Sequence, residues 1–550
     1  MTTYNKLFSV LLPTLFIFSS SFAQEKKITK ENVQYAEKIF GLEFTDAERD
    51  SMQDALNEQL NNFLEIHKVQ LSNSTLPSII FNPIPIGFQF PKTQKPIKYG
   101  DYSNTKLPQN YDDLAFYTIG QLTHLIKTRK ITSTELTKFF IERLKKYDPI
   151  LHCVVVITEE RALAEAKRAD EEIAKGKYRG LLHGIPYGVK DLLTTKGYKT
   201  TWGATPYKDQ LIDEDATVVK KLEEAGAVLT AKLSMGALAW GDVWFGGRTR
   251  NPWDTSQGSS GSSAGSASSV SAGLLPFAIG TETHGSIVSP STVCGTTGLR
   301  PTYGRVSRNG AMALSWSMDK IGVITRYADD LAIVFNVIKG IDEKDPTLYD
   351  VPFNYQPKID FKKMRVGYLK SDFARKYPFH DNDSIALKKL HELGAELIPI
   401  ELPEIAGRSL SFILNAEAAA AFDELTRSNK DDLLERQVKN AWPNRFRAAR
   451  FISAVDYINA NRIRTMLIQE FQKVFEKVDF YVSPSWAGNN LLLTNLTGNP
   501  CVVVPNGFSE RGTPTSFTFM GKLFDEGTII SAAKAFQDAT EHNKKHPKLD

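Results

Sequence analysis

The stretch that most constrains this chain runs from Gln257 to Gly273 and reads QGSSGSSAGSASSVSAG. Taken alone, a Gly/Ser-rich stretch of this kind is typical of a flexible linker between domains. Linkers join units that fold separately, but this stretch lies between Trp253 and the apolar segment LLPFAIG, and further small residues follow as far as Met312. Small residues between buried strands let backbones pack closely and leave amide N–H groups free to point into a cavity. The stretch therefore predicts an anion or oxyanion site inside a folded domain.

Helical segments and apolar, strand-like segments alternate along this chain of 550 residues, of which 42% are hydrophobic and 24% charged. A capping box of Thr132 and Glu135 predicts one helix, whose apolar face ends before Asp148-Pro149. The segments that we expect to be strands are HGIPYGVKDLL, AVLTAKLSM, PFAIGT, DFYVSPS and PCVVVPNGF. Because these are nearly continuous apolar runs separated by helices, they predict an α/β fold around a buried sheet.

The N-terminus has the composition of a secretion signal. Lys6 precedes the apolar segment LFSVLLPTLFIF, which is too short to span a bilayer, and Ser21 and Ala23 occupy the −3 and −1 positions of a small-residue cleavage site. An uncleaved anchor or a buried helix is the alternative. We expect residues 1–23 to be a signal peptide that is cut after Ala23, so that the mature protein is periplasmic or secreted. No later segment is long and apolar enough to predict a membrane span.

Residues 24–111 have the pattern of an appendage to the main domain. Helical periodicity in ITKENVQYAEKIFGL and DAERDSMQDALNEQLNNFLEI is followed by a Pro-rich, extended segment from Ser78 to Gly100. At the other end of the chain, residues 542–550 form a short polar tail.

The net charge argues against a nucleic-acid partner, and the cysteine spacing argues against a metal site and a disulfide framework. The net charge is only +4 and the basic residues are scattered, whereas a nucleic-acid-binding face needs clustered Lys and Arg. The three cysteines, Cys153, Cys294 and Cys501, are far apart and lack CxxC spacing, so that at most one disulfide could form. We expect them to be buried as small apolar residues, and we predict neither a metal site nor a nucleic-acid partner.

One candidate nucleophile lies within the Gly/Ser stretch. Gly261–Gly265 fits the GxSxG pattern, which would make Ser263 the nucleophile of an α/β-hydrolase-type esterase. That pattern requires a strand that runs into the serine and a histidine later in the chain. The segment before Ser263, NPWDTSQGSSG, is polar and rich in turn-forming residues, so that we expect no strand there, and no later histidine has a context that marks it as catalytic. This interpretation therefore stays an alternative.

Ser286 is the stronger candidate because it directly follows the predicted strand in PFAIGTETHGSI. The amide groups of Thr283, His284 and Gly285 would surround the carbonyl group that Ser286 attacks. Hydrogen-bond donors that are fixed before the charge develops are typically the largest contribution to acyl-transfer catalysis.

A serine nucleophile also needs a base, and the candidate is Lys190 in the apolar segment PYGVKDLL. With an ordinary pKa of about 10.4, only about one lysine in 2,500 is neutral at pH 7, which costs about 4–5 kcal/mol. Burial among apolar neighbours lowers a lysine pKa by about 3–5 units and removes most of that cost. The alternative is a structural role for Lys190, in an ion pair with the adjacent Asp191 or as a side chain that reaches solvent.

At this point six segments, taken in order, resemble the amidase signature hydrolases. They are LLHGIPYGVKDLL, AVLTAKLSM, GSSAGSASSVSAG, FAIGTETHGSIVSPSTVCGTTGLRPTYGRVS, NLTGNPCVVVPNGF and GKLFDEGTIISAAKAF. The resemblance covers about residues 112–541 and implies a catalytic domain of that extent. It also implies one large α/β domain in which helices cover both faces of a mixed central β-sheet, and hydrolysis of C–N bonds without a metal or a cofactor.

Members of this family use a Ser–cis-Ser–Lys triad, and the resemblance assigns its roles to residues of this sequence. Lys190 of the GVKDL motif is the base, and Ser286 of the GSI motif is the nucleophile. The bridging serine, which follows a cis peptide bond, is the first serine of the GSSxG motif. Two copies of that motif compete, with Ser259 and Ser262, and the thirteen-residue run that ends at Gly273 selects Ser262.

The resemblance further implies that the backbone of Thr283, His284 and Gly285 forms the oxyanion hole, and that Thr281 and Glu282 support this loop. His284 departs from the family, which often has a small or acidic residue at this position. Because the oxyanion contact uses backbone groups, we expect activity to survive and the imidazole to shape the substrate pocket.

One further departure from the family precedes the serine motif, and the roles of two arginines stay open. Ser256-Gln257 replaces the Pro-Gly that is common before the serine motif, a replacement similar to that in bacterial peptide-amidase-like members. Arg300 and Arg305 could pair with Glu282 or with substrate, and a purely structural role is the alternative for each.

Together these features predict an exported serine amidase that hydrolyses a small amide or an amidated peptide and acts as a monomer or homodimer. The family also includes a transamidation subunit, which works in the cytoplasm, so export argues against that role. Fatty-amide hydrolysis would call for a membrane-binding cap. Residues 24–111 are charged overall, but the segment IIFNPIPIGF is apolar enough to leave this alternative open. A catalytically inactive amide- or peptide-binding protein with the same fold is the alternative from another functional class.

Overall fold

The computed structural model describes residues 27–405, 407–486 and 488–549. The expected signal peptide, residues 1–23, lies outside the described residues, so its cleavage stays a prediction. The chain divides into two compact units, with the boundary between Leu71 and Ser72. Residues 72–111 therefore belong to the same unit as the predicted catalytic domain, whose functional limits at 112 and 541 stay a prediction.

The first unit contains the two helices that the sequence predicts. They are α1, Lys30–Phe40, and α2, Asp46–Ile66. Each begins with a complete capping box, formed by Thr29 with Asn32 and by Thr45 with Glu48, which satisfies amide groups that would otherwise have no partner.

The second unit is built on an eleven-stranded sheet. In chain order its strands are β1 Val154–Ile157, β2 Pro186–Lys190, β3 Val228–Leu233, β4 Phe277–Glu282, β5 Thr297–Arg300, β6 Lys320–Thr325, β7 Arg365–Leu369, β8 Glu396–Ile400, β9 Phe480–Pro484, β10 Cys501–Phe508 and β11 Pro514–Gly521. They lie side by side in the order β1-β3-β2-β4-β6-β5-β10-β11-β9-β7-β8. The neighbours β3-β2-β4 and β9-β7-β8 are parallel and all other pairs are antiparallel, so the sheet is mixed, as expected.

Helices cover both faces of this sheet. The second unit contains helices α3 Ile119–Lys127, α4 Ser133–Leu151, α5 Glu159–Ala174, α6 Thr217–Glu224, α7 Ala264–Ser271, α8 Val288–Cys294, α9 Ala328–Ile338, α10 Lys370–Phe373, α11 His380–Glu392, α12 Phe412–Ala421, α13 Asp423–Arg427, α14 Trp442–Ala449, α15 Ala454–Lys477, α16 Asn490–Thr497 and α17 Glu526–Thr540. Successive residues of a strand point to opposite faces. In β4, Phe277 and Ile279 join one hydrophobic cluster together with α9 and α17, while Ala278 joins another together with α7. The predicted α/β architecture is therefore confirmed.

Helix α4 extends beyond the limit expected from its sequence. We expected the apolar face to end before Asp148-Pro149, but the helix includes Pro149 and ends at Leu151. A proline in the last turn removes only one backbone hydrogen bond. The Asp148 carboxylate then accepts the amides of Cys153 and Val154, both at 2.8 Å, which fixes the chain as it enters β1.

None of the helices in the described ranges combines the length and the apolar composition needed to cross a bilayer.

Candidate active site

The Gly/Ser stretch is packed into the interior of the second unit and includes helix α7. A Cβ atom on Gly261 would lie 1.8 Å from the carbonyl oxygen of Gly241, and one on Gly265 would lie 2.3 Å from that of Cys153. Such distances are far inside van der Waals contact, so only glycine permits these backbones to approach. The small residues therefore serve close packing, as the sequence indicated, and the stretch is not an interdomain linker.

Lys190 is the last residue of β2, and its side chain is completely buried. Its Nζ lies 2.7 Å from Ser262 Oγ, 2.9 Å from Thr281 Oγ1 and 3.2 Å from Ser263 Oγ. The hydroxyl groups come from the Gly/Ser stretch and from β4, which is the neighbour of β2 in the sheet. Pairing of β2 with β4 thus brings the Thr281 hydroxyl group to the amine, and the Gly/Ser stretch supplies the other two hydroxyl groups.

Burial lowers the pKa of Lys190 to about 7, against the opposing influence of the carboxylates of Asp319 and Glu282. The adjacent Asp191 does not pair with Lys190. Its carboxylate instead lies 3.0 Å from Nζ of Lys232, which is also completely buried. The structural alternatives for Lys190, an ion pair with Asp191 or exposure to solvent, are therefore both absent from the site.

Ser262 follows a cis peptide bond from Gly261, as the resemblance implied. The hydroxyl group of the next residue, Ser263, forms hydrogen bonds with the backbone of β4. Ser263 Oγ donates to the carbonyl oxygen of Thr281 at 3.0 Å and accepts the Thr281 amide at 3.1 Å. Contrary to expectation, the segment before Ser263 contains a short strand, Asp254–Gly258, but it pairs only with Arg250–Asn251 in a separate two-stranded sheet. No strand of the central sheet runs into Ser263, so the GxSxG geometry is not formed there.

Ser286 lies four residues beyond the end of β4, just before α8. Its carbonyl oxygen accepts the Ser263 amide at 3.1 Å, so the two serine-bearing segments are joined directly. Gly285 has a φ of 90°, a backbone conformation that favours glycine. The structure thus places the backbone of Ser286 against Ser263, the residue that follows Ser262.

Glu282 holds the loop between β4 and α8. One carboxylate oxygen accepts the amides of Ile287 and Val288 at 2.9 and 3.0 Å. The other accepts Nη1 of Arg300 at 2.8 Å and Nδ2 of Asn495 at 2.9 Å. Burial alone would raise the pKa of Glu282, but the Arg300 charge and these hydrogen bonds lower it to about 2.

Ser286 and the loop before it line a cavity of about 400 Å³. Thr283, His284 and Gly285 lie in the same wall, and the His284 side chain is exposed there. Among the described residues, none accepts a hydrogen bond from the backbone amides of residues 283–286. These N–H groups are therefore available to a ligand beside the Ser286 hydroxyl group.

Several residues at the site were not found from the sequence. Asn495 donates a hydrogen bond to Glu282, and Lys232 forms an ion pair with Asp191. Asp319 accepts a hydrogen bond from the Thr283 hydroxyl group at 2.6 Å. Their only sequence signal is a polar residue within an apolar or buried segment.

The structure gives the contacts of the arginines and the state of the cysteines whose roles the sequence left open. Arg300 pairs with Glu282, whereas Arg305 lies 3.5 Å from Glu526 and therefore has a different partner. Cys153, Cys294 and Cys501 are buried free thiols. Within the part of the chain that the structure describes, no group of three or more His, Cys, Asp or Glu side chains is arranged to hold a metal ion.

Comparison with known proteins identifies the family. A family model described as Amidase matches residues 135–493. The glutamyl-tRNA(Gln) amidotransferase A subunit of Carboxydothermus hydrogenoformans is 34% identical, with 80% of this chain and 100% of that protein covered. The native peptide amidase from Stenotrophomonas maltophilia has a TM-score of 0.71 at 27% identity, covering 80% of this chain and 100% of that one. An amidase family protein from Bacillus anthracis has a TM-score of 0.72 at 29% identity, covering 80% and 93%. The chain therefore belongs to the amidase signature family and is an enzyme that acts on carbon–nitrogen bonds.

Proposed function

We propose that the protein is an exported hydrolase that cleaves the C–N bond of a small amide or an amidated peptide through an acyl-enzyme on Ser286. The observation that carries this proposal is the position of Lys190, whose buried Nζ lies 2.7 Å from Ser262 Oγ. With a pKa of about 7, about half of the Lys190 side chains are neutral at neutral pH. A neutral amine has one lone pair that can accept a proton, as a general base requires.

In the first half of the reaction, Lys190 takes the hydroxyl proton of Ser262 while Ser262 takes that of Ser286. The Ser286 oxygen forms a bond to the amide carbonyl carbon, and negative charge develops on the carbonyl oxygen. The available amides of residues 283–286 are the donors that stabilise this charge. The C–N bond then breaks, and the same relay returns the proton to the departing amine.

In the second half, water replaces the amine. Lys190 and Ser262 remove a proton from the water as its oxygen attacks the acyl carbon, and Ser286 recovers the proton when the ester bond breaks. The products are the free acid and the amine. Ser263 is not part of this relay because its hydroxyl group already donates to Thr281.

The substrate assignment rests on the cavity and on the relatives. A cavity of about 400 Å³ suits a small molecule or the end of a peptide. The peptide amidase with a similar fold supports an amidated peptide as one substrate class. The N-terminal composition supports export, and no partner is required because base, relay and nucleophile all lie within one chain.

A second candidate is a component of an amidotransferase complex. The observation in its favour is the 34% identity to the glutamyl-tRNA(Gln) amidotransferase A subunit. The two functions differ in what the purified chain does alone. A hydrolase releases acid and amine without any partner protein, and its N-terminus is processed after Ala23 when it is expressed with the native leader.

The proposal is tested by hydrolysis of chromogenic anilides, primary amides and amidated dipeptides, together with trapping by a fluorophosphonate. We expect Ser286→Ala to reduce turnover by about 10³-fold or more and to abolish the adduct. Equal rates for the wild type and Ser286→Ala would instead indicate a binding protein. An adduct that disappears only with Ser263→Ala would support the GxSxG esterase and contradict our assignment.

A further inference from the structure

The cavity that contains Ser286 adjoins a second, more open space. The lining of the Ser286 cavity includes Trp240, Trp442 and Leu414, so this cavity has a large aromatic and apolar surface. The second space is a groove of about 940 Å³, lined in part by Lys439. Arg445 lines both, and therefore lies where a substrate that fills the inner cavity would emerge.

Arg445 lies in α14 and is partly buried. Its Nε donates to the carbonyl oxygen of Asn440 at 3.0 Å, and its guanidinium group lies 4.8 Å from the centre of the Trp240 ring. These two contacts fix the side chain but leave its terminal N–H groups without an acidic partner among the described residues. Three other arginines of this region do have one: Arg427 pairs with Asp423, Arg447 with Asp431, and Arg450 with Asp423.

Both spaces lack negative charge. Of the described residues that line them, none is an aspartate or a glutamate. A second guanidinium group, that of Arg436, lies 5.8 Å from the Trp240 ring. A planar guanidinium group with free N–H donors matches the two oxygens of a carboxylate, and stacking on an indole keeps it oriented.

We propose that Arg445 binds a carboxylate of the substrate, so that the enzyme acts on amides that combine an aromatic or apolar part with a distant carboxylate. The apolar part fills the cavity beside Trp240 and Trp442, the amide reaches Ser286, and the carboxylate reaches Arg445. This inference rests on the proposed function, because it names the substrate class of the same site. Arg445 determines specificity and takes no part in the proton transfers.

The test uses p-nitroanilides of dicarboxylic acids, from succinyl to suberyl, each compared with the neutral acyl anilide of equal chain length. For the best-fitting length, we expect kcat/KM to be about 10- to 100-fold higher for the carboxylate, as charge-assisted hydrogen bonds predict. The preference resides mainly in KM. It decreases as the salt concentration rises, because the rim of the cavity is open to solvent.

Two variants of Arg445 then test whether this side chain causes the preference for a carboxylate. In Arg445→Gln, we expect the carboxylate-to-neutral ratio of kcat/KM to fall to about 1, while Arg445→Lys keeps part of it because the charge remains. The matched control is Arg447→Gln in the same helix, whose arginine already pairs with Asp431 and Asp432. We expect that variant to retain the full ratio, and circular dichroism checks that all three are folded.

Protection of Ser286 from a fluorophosphonate gives the same comparison without turnover. Carboxylate-ended amides should slow labelling of the wild type more than neutral amides do, and should lose that advantage in Arg445→Gln. Equal ratios in the wild type and in Arg445→Gln would overturn this inference and leave the amidase assignment intact. Absence of both hydrolysis and labelling at Ser286 would overturn the proposed function itself.

Discussion

Lys232, rather than Lys190, is the partner of Asp191, with 3.0 Å between Nζ and Oδ1 and with both side chains completely buried. Lys232 also donates to the Lys199 carbonyl oxygen at 2.8 Å and to Thr200 Oγ1 at 2.6 Å. The pair therefore links β3 and the end of β2 to the loop that follows. It also neutralises the carboxylate closest in sequence to Lys190, which favours an uncharged amine at the active site.

Lys232→Met should destabilise the protein strongly. The substitution leaves the Asp191 carboxylate buried without a counter-charge, and breaking a buried pair in this way typically costs about 3–5 kcal/mol. Urea unfolding measures the loss. The matched control is Lys199→Met, which removes an exposed pair with Asp209 and should cost about 0–1 kcal/mol.

Combining Lys232→Met with Asp191→Asn should restore part of the stability, because the second change removes the unpaired charge. A double variant that is less stable than Lys232→Met alone would show that the pair does not act as described.

The dependence of kcat/KM on pH should follow the titration of Lys190. The base acts when neutral, so that activity falls about tenfold per pH unit below the pKa of about 7 and levels off above it. Lys190→Arg, which stays protonated, should be inactive throughout. An acid limb centred near pH 4 would contradict Lys190 as the base.

The pH dependence of the free energy of unfolding provides an independent test of the lowered pKa of Lys190. The pKa of Lys190 is lowered from 10.5 to about 7 on folding, so the unfolded chain binds more protons between these values. Lys190 therefore makes the free energy of unfolding rise with pH across that window. In Lys190→Met this contribution should be absent, which denaturant unfolding at pH 7 and pH 9 measures.

Glu282→Gln should loosen the loop that precedes Ser286. The variant leaves Arg300 without its counter-charge and weakens the acceptor of the Ile287 and Val288 amides, so we expect a loss of about 3–5 kcal/mol. Because the amides of the loop lose their fixed orientation, kcat should fall by about 10²-fold. The control is Glu510→Gln at an exposed position, which should change neither quantity.

The pH dependence of this difference follows from the lowered pKa of Glu282. The pKa is about 2 in the folded protein, against an ordinary value of 4.5, so the stabilising contribution of Glu282 is present above pH 4.5 and is lost as the pH falls toward 2. The stability gap between the wild type and Glu282→Gln should therefore close over that range. A gap that is constant from pH 7 to pH 3 would contradict the assigned ionisation.

The sequence predicts those parts of the fold that local patterns determine. The five segments that we expected to be strands all form part of the central sheet, because long apolar runs have few other places to be buried. The other six strands were not predicted, and one of them, β5, Thr297–Arg300, has no local signal because TGLR has no apolar run. Its strand conformation comes from pairing with β6 and β10 on either side.

At the site, the motifs selected Lys190, Ser262 and Ser286 as candidates, but not the residues that contact them or their neighbours. Asn495 reaches Glu282 from 213 residues away, and Lys232 on β3 reaches Asp191 at the end of the neighbouring strand β2. Neither contact has a local signal, since each depends on which strands and helices become neighbours. Arg445 was missed for the same reason, because only the folded chain brings α14 to the cavity.

Gly265→Ala tests whether the Gly/Ser stretch is packed or merely flexible. A Cβ at this position would meet Cys153 O at 2.3 Å and Ser234 N at 2.5 Å, and these are backbone atoms that cannot rotate away. Overpacking of this kind typically costs about 1–3 kcal/mol, and we expect at least that because the backbone beside β1 and β3 would have to move away from α7. The control is Thr255→Ala in the same region, where the side chain is exposed and the cost should be near zero. Thermal unfolding of Gly265→Ala and Thr255→Ala measures the two losses of stability. Because Gly265 lies within three residues of Ser262, we expect turnover to fall as well in Gly265→Ala but not in Thr255→Ala. A Gly265→Ala enzyme as stable and active as the wild type would mean that this segment is loosely packed, and the geometry of the Lys190 site would lose its basis.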